Sequence, residues 1–543
     1  MTNKTIVIII SFVLYSMIQG QDISDRQVHY RPGDWISYPV TRNVTSIDVG
    51  NTYAYFGTTG GIMRYDYFRN QWDTPFTWSN GLENDEVRIV LYDFNTGFLW
   101  CVTGGGVSYR IPSAEEWRNI SYSSLGSGQI YSLGSGKQNV WIEGRRGFYK
   151  SDPTGIMFWS ATPQEEAEDQ VRWRGRRAGN PVESLPELFV DAGYFYYPEG
   201  YIQDMEFRQY DITAALQDDF SRLWMGTQGL GAGVVDMIVS RLGFLPFGPF
   251  HRDVQAMAWD DDGMWMGGLN LSRQPGGITW WNMEEGKWVY YEAEIVPELW
   301  TDNITSIATD VRHVWFGTNN GLARYDKDRD KWRMFSVQDN LWSNQINSVV
   351  LGENTLWVGT EAGINSIRLP SMIVEQVRIK ELNHQRIYRL EVDGEDVWAG
   401  TERGIYRFDG EEGIWEYFPE DPAIVALDIT AISAWGDEVW FGTENGIMAL
   451  DKATNEWQSF PPAHYPTGGQ INVIAADSGV VWVGTEEGVL KYVKAENRWR
   501  RFTRNDGLLD NRVRWILLDW DHIWFGTPLG LTRFYWNAPY RID

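Results

Sequence analysis

The stretch Val-Trp-Phe-Gly-Thr-Asn-Asn-Gly-Leu-Ala-Arg-Tyr-Asp, from Val314 to Asp326, recurs through most of the chain. Each copy has an apolar residue, Trp, another apolar residue, Gly and Thr, then two turn residues, Gly and alternating apolar residues. Alternation on both sides of a short, glycine-ended turn is typical of two β-strands joined by a tight hairpin. The repeat therefore predicts an all-β protein.

The spacing of the copies defines a repeating unit. Most intervals between successive Trp positions are 41 or 42 residues, and a further short strand such as Lys331 to Phe335 follows each copy. Four short strands in such a period predict the blade of a β-propeller. The repeat position is occupied by Tyr55, Trp100, Trp141, Trp224, Trp265, Trp315, Trp357, Trp398, Trp440, Trp482 and Trp524.

One interval is about twice the period. Trp141 and Trp224 are 83 residues apart, so we expect an irregular or degenerate blade at residues 151–222 and about 11–12 four-stranded blades in total. Single rings usually hold roughly four to eight blades. Two rings are therefore predicted, one interrupting the other, with a single large ring as the alternative.

The two ends of the repeat array complement each other. Asp34 to Tyr38 has the pattern of a fourth strand, whereas the last unit stops after its third strand, Leu531 to Tyr535. Joining these segments in one blade would remove two exposed sheet edges. We therefore predict a propeller closed by the N-terminal strand pairing with the last blade.

The N-terminus and the composition indicate the compartment. Residues 1–20 have a charged start and a short apolar run from Ile6 to Ile18, as in a signal peptide, with an uncleaved anchor as the alternative. We expect residues 21–543 to form the repeat array of an exported, periplasmic or extracellular protein that is not membrane-embedded. The net charge of −26 argues against a nucleic-acid partner. Cys101, the single cysteine, occupies a core position of the repeat.

The repeat also carries a family resemblance. Apolar-Trp-apolar-Gly-Thr-x-x-Gly-Leu, with Asn80-Gly81-Leu82 or Asp506-Gly507-Leu508 shortly before the next unit, resembles the two-component-regulator propeller repeat. That family builds the periplasmic sensor regions of hybrid histidine kinases and also occurs in stand-alone exported proteins. The resemblance implies a propeller fold, export and a ligand-binding or interaction role. Because no kinase or DNA-binding segment is recognisable here, the signalling activity itself is not expected to carry over.

Candidate binding residues lie at variable positions of the fixed repeat. Trp300 and Trp342 precede first strands, and in a propeller these loops share a face with the hairpins after Gly-Thr, so exposed indoles there could stack on a sugar or a peptide. The first hairpin position holds Asn319 in one unit, and a carboxylate arc is expected from the same position in four consecutive units: Glu361, Glu402, Glu444 and Glu486. Such an arc could hold a cation or bind a basic partner, although a polar turn residue alone would explain it.

A second candidate is a basic cluster inside the irregular segment. Arg172, Arg174, Arg176 and Arg177 stand out in an acidic chain and could bind an anionic group, or pair internally with the surplus carboxylates. The six histidines have no metal-ligand spacing, and no nucleophile or nucleotide-binding motif is recognisable, so neither a metal nor a cofactor is expected. The sequence favours a non-catalytic extracytoplasmic ligand-binding or sensing propeller for a glycan or a protein. The alternatives are a protein-interaction scaffold at the cell surface and a propeller enzyme acting on polysaccharide.

Overall fold

The computed structural model describes residues 30–541, apart from residues 127, 153, 163–169, 180–184, 191–192, 270–275, 419–427 and 467–468. The predicted signal peptide, residues 1–20, lies outside the described residues. The described residues form 48 β-strands, and short 3₁₀ turns lie at Trp78–Asn80, Arg176–Ala178, Val337–Asp339, Pro462–His464, Lys494–Glu496 and Arg504–Asp506.

Eleven four-stranded antiparallel blades contain most of the strands, each running from an inner first strand to an outer fourth strand. The first segment is the lone strand β1 (Trp35–Pro39). Blade 1 consists of β2 (Val44–Val49), β3 (Tyr53–Thr58), β4 (Gly61–Asp66) and β5 (Gln71–Phe76). Blade 2 consists of β6 (Val87–Tyr92), β7 (Leu99–Thr103), β8 (Gly106–Ile111) and β9 (Glu116–Ser121). Blade 3 consists of β10 (Ile130–Ser135), β11 (Val140–Gly144), β12 (Gly147–Ser151) and β13 (Phe158–Ala161).

An insertion of four strands separates blade 3 from blade 4. It consists of β14 (Arg172–Gly175), β15 (Phe189–Val190), β16 (Tyr194–Tyr197) and β17 (Tyr201–Asp204). Blade 4 consists of β18 (Gln209–Gln217), β19 (Leu223–Thr227), β20 (Ala232–Asp236) and β21 (Arg241–Phe244). Blade 5 consists of β22 (Asp253–Asp260), β23 (Gly263–Leu269), β24 (Ile278–Asn282) and β25 (Lys287–Tyr291).

The remaining blades follow the regular period. Blade 6 consists of β26 (Ile304–Thr309), β27 (His313–Thr318), β28 (Gly321–Asp326) and β29 (Lys331–Phe335). Blade 7 consists of β30 (Ile346–Leu351), β31 (Thr355–Thr360), β32 (Gly363–Arg368) and β33 (Ile373–Gln376). Blade 8 consists of β34 (Ile387–Asp393), β35 (Asp396–Thr401), β36 (Gly404–Asp409) and β37 (Ile414–Tyr417). Blade 9 consists of β38 (Ile429–Trp435), β39 (Glu438–Thr443), β40 (Gly446–Asp451) and β41 (Glu456–Phe460).

The last two blades complete the array and use the N-terminal strand. Blade 10 consists of β42 (Ile471–Ala476), β43 (Val480–Thr485), β44 (Gly488–Val493) and β45 (Arg498–Phe502). Blade 11 consists of β46 (Trp515–Asp519), β47 (His522–Thr527), β48 (Gly530–Tyr535) and β1. β1 pairs antiparallel with β48, with Trp35 opposite Phe534. The predicted closure by the N-terminal strand is confirmed.

The repeat motif closes its hairpin with the same Thr-to-Gly hydrogen bond in each regular blade. In blade 6, the buried Thr318 donates a hydrogen bond from Oγ1 to the carbonyl of Gly321 (2.7 Å), which holds the hairpin closed. Gly321 has a φ of 110°, a conformation that favours glycine. Trp315 is fully buried and its Nε1 donates to Asp310 Oδ2 (3.2 Å), so the acidic turn before the motif satisfies the indole. These contacts explain why the repeat retains Trp, Thr and the second Gly.

The first glycine of the motif sets the distance between blades. A Cβ on Gly317 would lie 2.9 Å from Ile346 Cγ2 at the start of the next inner strand. The equivalent glycine of each blade from 5 to 10 likewise lies against the start of the next inner strand. Gly526 of blade 11 lies against Val254 at the start of blade 5, which closes the series. Blades 5 to 11 therefore form a closed ring. β1 belongs to blade 11 and β22 opens blade 5, so the chain between them interrupts this ring.

That intervening chain forms a smaller group of four blades. Gly226 of blade 4 lies against Val44 of blade 1, Gly57 of blade 1 lies against Val87 of blade 2, and β6 packs on β10 of blade 3. After blade 3 the chain enters the insertion, whose strands join the sheets of blades 3 and 4. β14 pairs with the inner strand β10, β15 pairs with the outer strand β21, and the β16–β17 hairpin extends the inner strand β18.

Within the described residues, none of the helical segments has the length and apolar character needed to cross a membrane.

Candidate functional site

One face of the propeller carries the loops before the inner strands together with the hairpins after Gly-Thr, and we call it the upper face. The backbone N–H of Glu361 in a hairpin donates to the carbonyl of Gln345 in the adjacent loop (3.1 Å), and that of Glu486 donates to the carbonyl of Gln470 (3.1 Å). Main-chain bonds thus fix the hairpins beside the loops, while the side chains at these positions vary. This geometry makes the upper face a rigid frame for variable groups.

Trp300 and Trp342 occupy different environments on this face. Trp300 has 48% of its surface exposed, and the neighbouring Thr301 donates from Oγ1 to Asn319 Oδ1 (2.9 Å), which ties its loop to the hairpin of blade 6. Trp342 is half-buried, with its ring 5.5 Å from the His384 ring in an edge-on arrangement. Trp300 is therefore the more accessible of the two indoles.

The four glutamates occupy the same hairpin position in blades 7 to 10. Glu361 Oε2 accepts from Arg386 Nε (2.6 Å), and Glu486 Oε1 pairs with Arg514. Glu402 is half-buried and Glu444 is exposed. The arc therefore presents mixed charge, because arginines at the starts of neighbouring inner strands pair with two of its carboxylates.

The predicted arginine cluster lies at the centre of the four-bladed group. Arg172 and Arg174 of β14 both pair with Asp48 of the inner strand β2, with Arg174 Nη2 2.7 Å from Asp48 Oδ1. The Asp48 side chain is fully buried, and its second oxygen accepts from the backbone N–H of Tyr92 (2.6 Å). These contacts make Asp48 the bridge between β14 and the blades around it.

Arg176 and Arg177 meet a second buried carboxylate. Glu143 stands where the motif has its first glycine, and its Oε1 lies 2.6 Å from Arg176 Nη2 and 3.4 Å from Arg177 Nε. Burial opposes ionisation of Glu143, but hydrogen bonds from Ser132 and Arg176 and the charges of the two arginines lower its pKa. A glutamate at this position occupies the side of blade 3 on which a following blade would pack.

A cleft between the two blade groups brings together residues that the sequence did not single out. It has a volume of about 430 Å³. It is lined by the loops before β2 and β22, by Arg208 with the first residues of β18, and by the hairpin between β19 and β20, all at the upper face. Its lining includes Val40, Arg42, Asn43, Arg208, Gln209, Tyr210, Asp211, Gln228, Gly229 and Arg252. One signal was present, since Gln228 follows Gly226-Thr227 at the same hairpin position as Asn319.

Two carboxyl groups with perturbed titration lie near this cleft. Burial raises the pKa of Glu292 to about 7, and that of Asp302 to about 6. Asp302 Oδ1 accepts from the backbone N–H of Ala293 (2.8 Å), and its carbonyl contacts Nε2 of the buried His251 (2.8 Å). Among the described residues, no group of three His, Cys, Asp or Glu side chains is arranged to hold a metal ion.

A contact between blades 8 and 11 crosses the central channel of the seven-bladed ring. The Arg389 guanidinium of blade 8 lies 4.1 Å from the centre of the Trp515 ring of blade 11. Burial raises the pKa of the neighbouring Glu391 to about 7. Because blades 9 and 10 separate these residues along the ring, the cation–π pair narrows the channel below the upper face.

Among the comparisons with known proteins, similarity to solved structures bears on the fold. No family model matches the chain, and no curated protein matches it. Among solved structures, PorZ, a surface component of the type-IX secretion system of Porphyromonas gingivalis, is 13% identical with a TM-score of 0.53, covering 93% of this chain and 87% of PorZ. The extracellular domain of a hybrid two-component system from B. thetaiotaomicron is 16% identical with a TM-score of 0.47, covering 91% of this chain and 76% of that domain.

The eleven blades and the similarity to PorZ define the chain as a multi-bladed β-propeller protein, and the predicted fold class is confirmed. The extracellular domain of a second hybrid two-component system from B. thetaiotaomicron matches at 16% identity and a TM-score of 0.45, covering 94% of this chain and 76% of that domain. Virginiamycin B lyase from Staphylococcus aureus also matches, at 16% identity and a TM-score of 0.41, covering 52% of this chain and 94% of the lyase. At these identities the comparisons concern the fold.

Proposed function

We propose that this chain is a non-catalytic, extracytoplasmic ligand-binding or sensing propeller whose ligand contacts the upper face of the seven-bladed ring. The observation that carries the proposal is the exposure of Trp300 on that face. Its loop is held to the hairpin of blade 6 by the hydrogen bond between Thr301 and Asn319. A large aromatic ring on a fixed frame offers stacking surface at a low entropic cost, as glycan and peptide recognition require.

The polar groups of the same face support a hydroxyl-rich ligand. The pairs Glu361–Arg386 and Glu486–Arg514 place carboxylate acceptors beside guanidinium donors. Asn472 adds an amide that donates to Glu486 Oε1 (2.9 Å). Few, well-positioned donors and acceptors around an aromatic surface are the usual composition of a small-ligand site. A glycan is therefore the ligand we favour.

Calorimetric titration against a panel of oligosaccharides tests this proposal. We expect at least one glycan to bind, and Trp300→Ala to weaken its binding about tenfold or more, which corresponds to about 1.4 kcal/mol. Trp520→Ala is the matched control, because Trp520 is exposed in a turn between first and second strands, on the opposite face. Equal effects of the two substitutions, or release of product from any bound glycan, would contradict the proposal.

A second candidate function is a protein-interaction scaffold at the cell surface. It is favoured by exposed apolar side chains of the insertion, where Phe195 is 58% and Phe207 80% exposed. PorZ, which shares the fold, is described as a surface component of a secretion system. If no glycan binds, affinity purification with the wild-type protein should recover a stoichiometric partner, and Phe207→Ser should lose it.

The polysaccharide-enzyme alternative would have to use groups such as Glu292. A carboxyl with a pKa near 7 can act as a general acid at neutral pH. Reducing-end assays on the same oligosaccharide panel would detect turnover. If the wild type cleaves a glycan and Glu292→Gln does not, the polysaccharide-enzyme function replaces the binding proposal.

A further inference from the structure

We propose that the cleft between the two blade groups is a second binding site, specific for a small anionic sugar. Arg42, Arg208 and Arg252 all line it, although the chain as a whole carries a net charge of −26. The three arginines come from three separate loops. Because each loop belongs to a different part of the chain, the site exists only when the two blade groups are assembled.

Two of the arginines are fixed by the surrounding structure. Arg42 is buried, with its guanidinium 4.4 Å from the centre of the Phe250 ring. Arg208 donates from Nε to Asp204 Oδ2 (2.6 Å) and pairs with Glu294 through Nη2. A guanidinium has five N–H donors in a planar fork, and these two contacts engage one donor on each of two nitrogens. Arg208 Nη1 also lies 4.0 Å from Glu206 Oε2. Both arginines are thus pre-oriented before any ligand arrives.

Arg252 completes the basic lining from the other side. It lies just before the inner strand β22, in the seven-bladed ring, and its side chain is exposed. An exposed arginine at the edge of a cleft can close onto an anionic group and form a paired hydrogen bond with a carboxylate or a phosphate. Arg252 is therefore the residue whose removal should change ligand charge preference without disturbing the core.

The remaining lining suits hydroxyl groups. Asn43, Gln209 and Gln228 supply amides, each able to donate and accept, and Asp211 supplies a further acceptor. The volume of about 430 Å³ lies at the lower end of the range for small-molecule sites. A sugar of one or two rings with one negative charge fits both the size and the donor–acceptor balance. An inorganic anion alone would leave most of the amides without a ligand partner.

Isothermal titration of the full chain with three ligands tests this inference. Glucuronate, glucose 6-phosphate and glucose share one ring and differ in charge, so they separate a carboxylate, a phosphate and a neutral sugar. We expect at least one of the two anionic sugars to bind at least tenfold more tightly than glucose. Arg252→Ala should remove that preference, and Gln228→Ala should weaken the anionic sugar while retaining the preference over glucose.

The controls distinguish this site from the upper face of the seven-bladed ring. Arg69→Ala removes another exposed arginine, one that is not part of the cleft lining, and should leave binding unchanged. Trp300→Ala should also leave binding of the anionic sugar unchanged. A negative result for the upper-face proposal therefore does not refute the cleft proposal, or the reverse. Equal binding of all three sugars, no binding of either anionic sugar, or full retention of the preference in Arg252→Ala would overturn the inference.

Discussion

Replacement of Asp48 by Asn should destabilise the four-bladed group, because it leaves two arginines without their shared counter-charge. Asp48 is fully buried, whereas Arg172 and Arg174 retain 31% and 14% side-chain exposure. Removing one partner of a buried ion pair costs about 3–5 kcal/mol. Since solvent partly screens Arg172, we take the lower end, about 3 kcal/mol.

The assay is thermal unfolding of the wild type and Asp48→Asn followed by calorimetry. For a cooperative unit of roughly 200 residues, each kcal/mol shifts the midpoint by about 2–4 °C, so we expect a decrease of roughly 6–12 °C. The two blade groups can unfold in separate transitions, and only one of them should move. Asp261→Asn, in an exposed turn, is the control.

The double substitution Asp48→Asn with Arg174→Met identifies the cause. If the loss comes from an unpaired buried charge, removing Arg174 as well should recover part of it. An unchanged midpoint in Asp48→Asn would refute the reasoning that these ion pairs hold β14 inside the four-bladed group. In that case the arginines would be available to an external anion.

Two further predictions concern ring closure and pH. Trp35→Ala should lower the free energy of unfolding, measured by chemical denaturation, by about 3–5 kcal/mol, because this buried indole stacks on Phe534 (3.8 Å between ring centres). The exposed Trp520→Ala should change it by less than about 0.5 kcal/mol. Similar losses in both variants would contradict a special role of β1. Glu292 retains its proton in the folded chain up to a pKa of about 7, against 4.5 when unfolded, so its contribution makes stability fall as pH rises between these values. Relative to wild type, the free energy of unfolding of Glu292→Gln should therefore rise by on the order of 3 kcal/mol across this window. The exposed Glu298→Gln should show no such rise. Parallel pH profiles of stability for wild type and Glu292→Gln would contradict the assignment.

The sequence predicts the blades well because each blade is specified locally. The burial of Trp315, the hydrogen bond of Thr318 and the positive φ of Gly321 all arise within one repeat. The boundaries follow for the same reason: Lys331 to Phe335 was predicted as a short strand and forms β29. The predicted closure by β1 needed only the observation that the first and last units were incomplete.

The site was less accessible to sequence reasoning. Gln228 lines the cleft and occupies the position after Gly-Thr, the class of position that the sequence analysis selected. The arginines of the cleft were not singled out, because each is an isolated residue in an ordinary loop. Arg172 and Arg174 were conspicuous as a run, but the run lies on a strand inside the four-bladed group and meets Asp48.

By itself, the sequence determined the blade, the approximate number of blades and the joining of the two chain ends. These features depend on contacts within one repeat or on strand pairings that every repeat makes. A single recurring motif is therefore enough to predict them. Only the tertiary structure decided that seven blades close while four form a separate group, and that a cleft lies between them. The physical reason is that closure requires Gly526 to meet Val254, and the cleft requires Arg42, Arg208 and Arg252 to converge. Such contacts join segments far apart in the chain, and no local pattern encodes their distance.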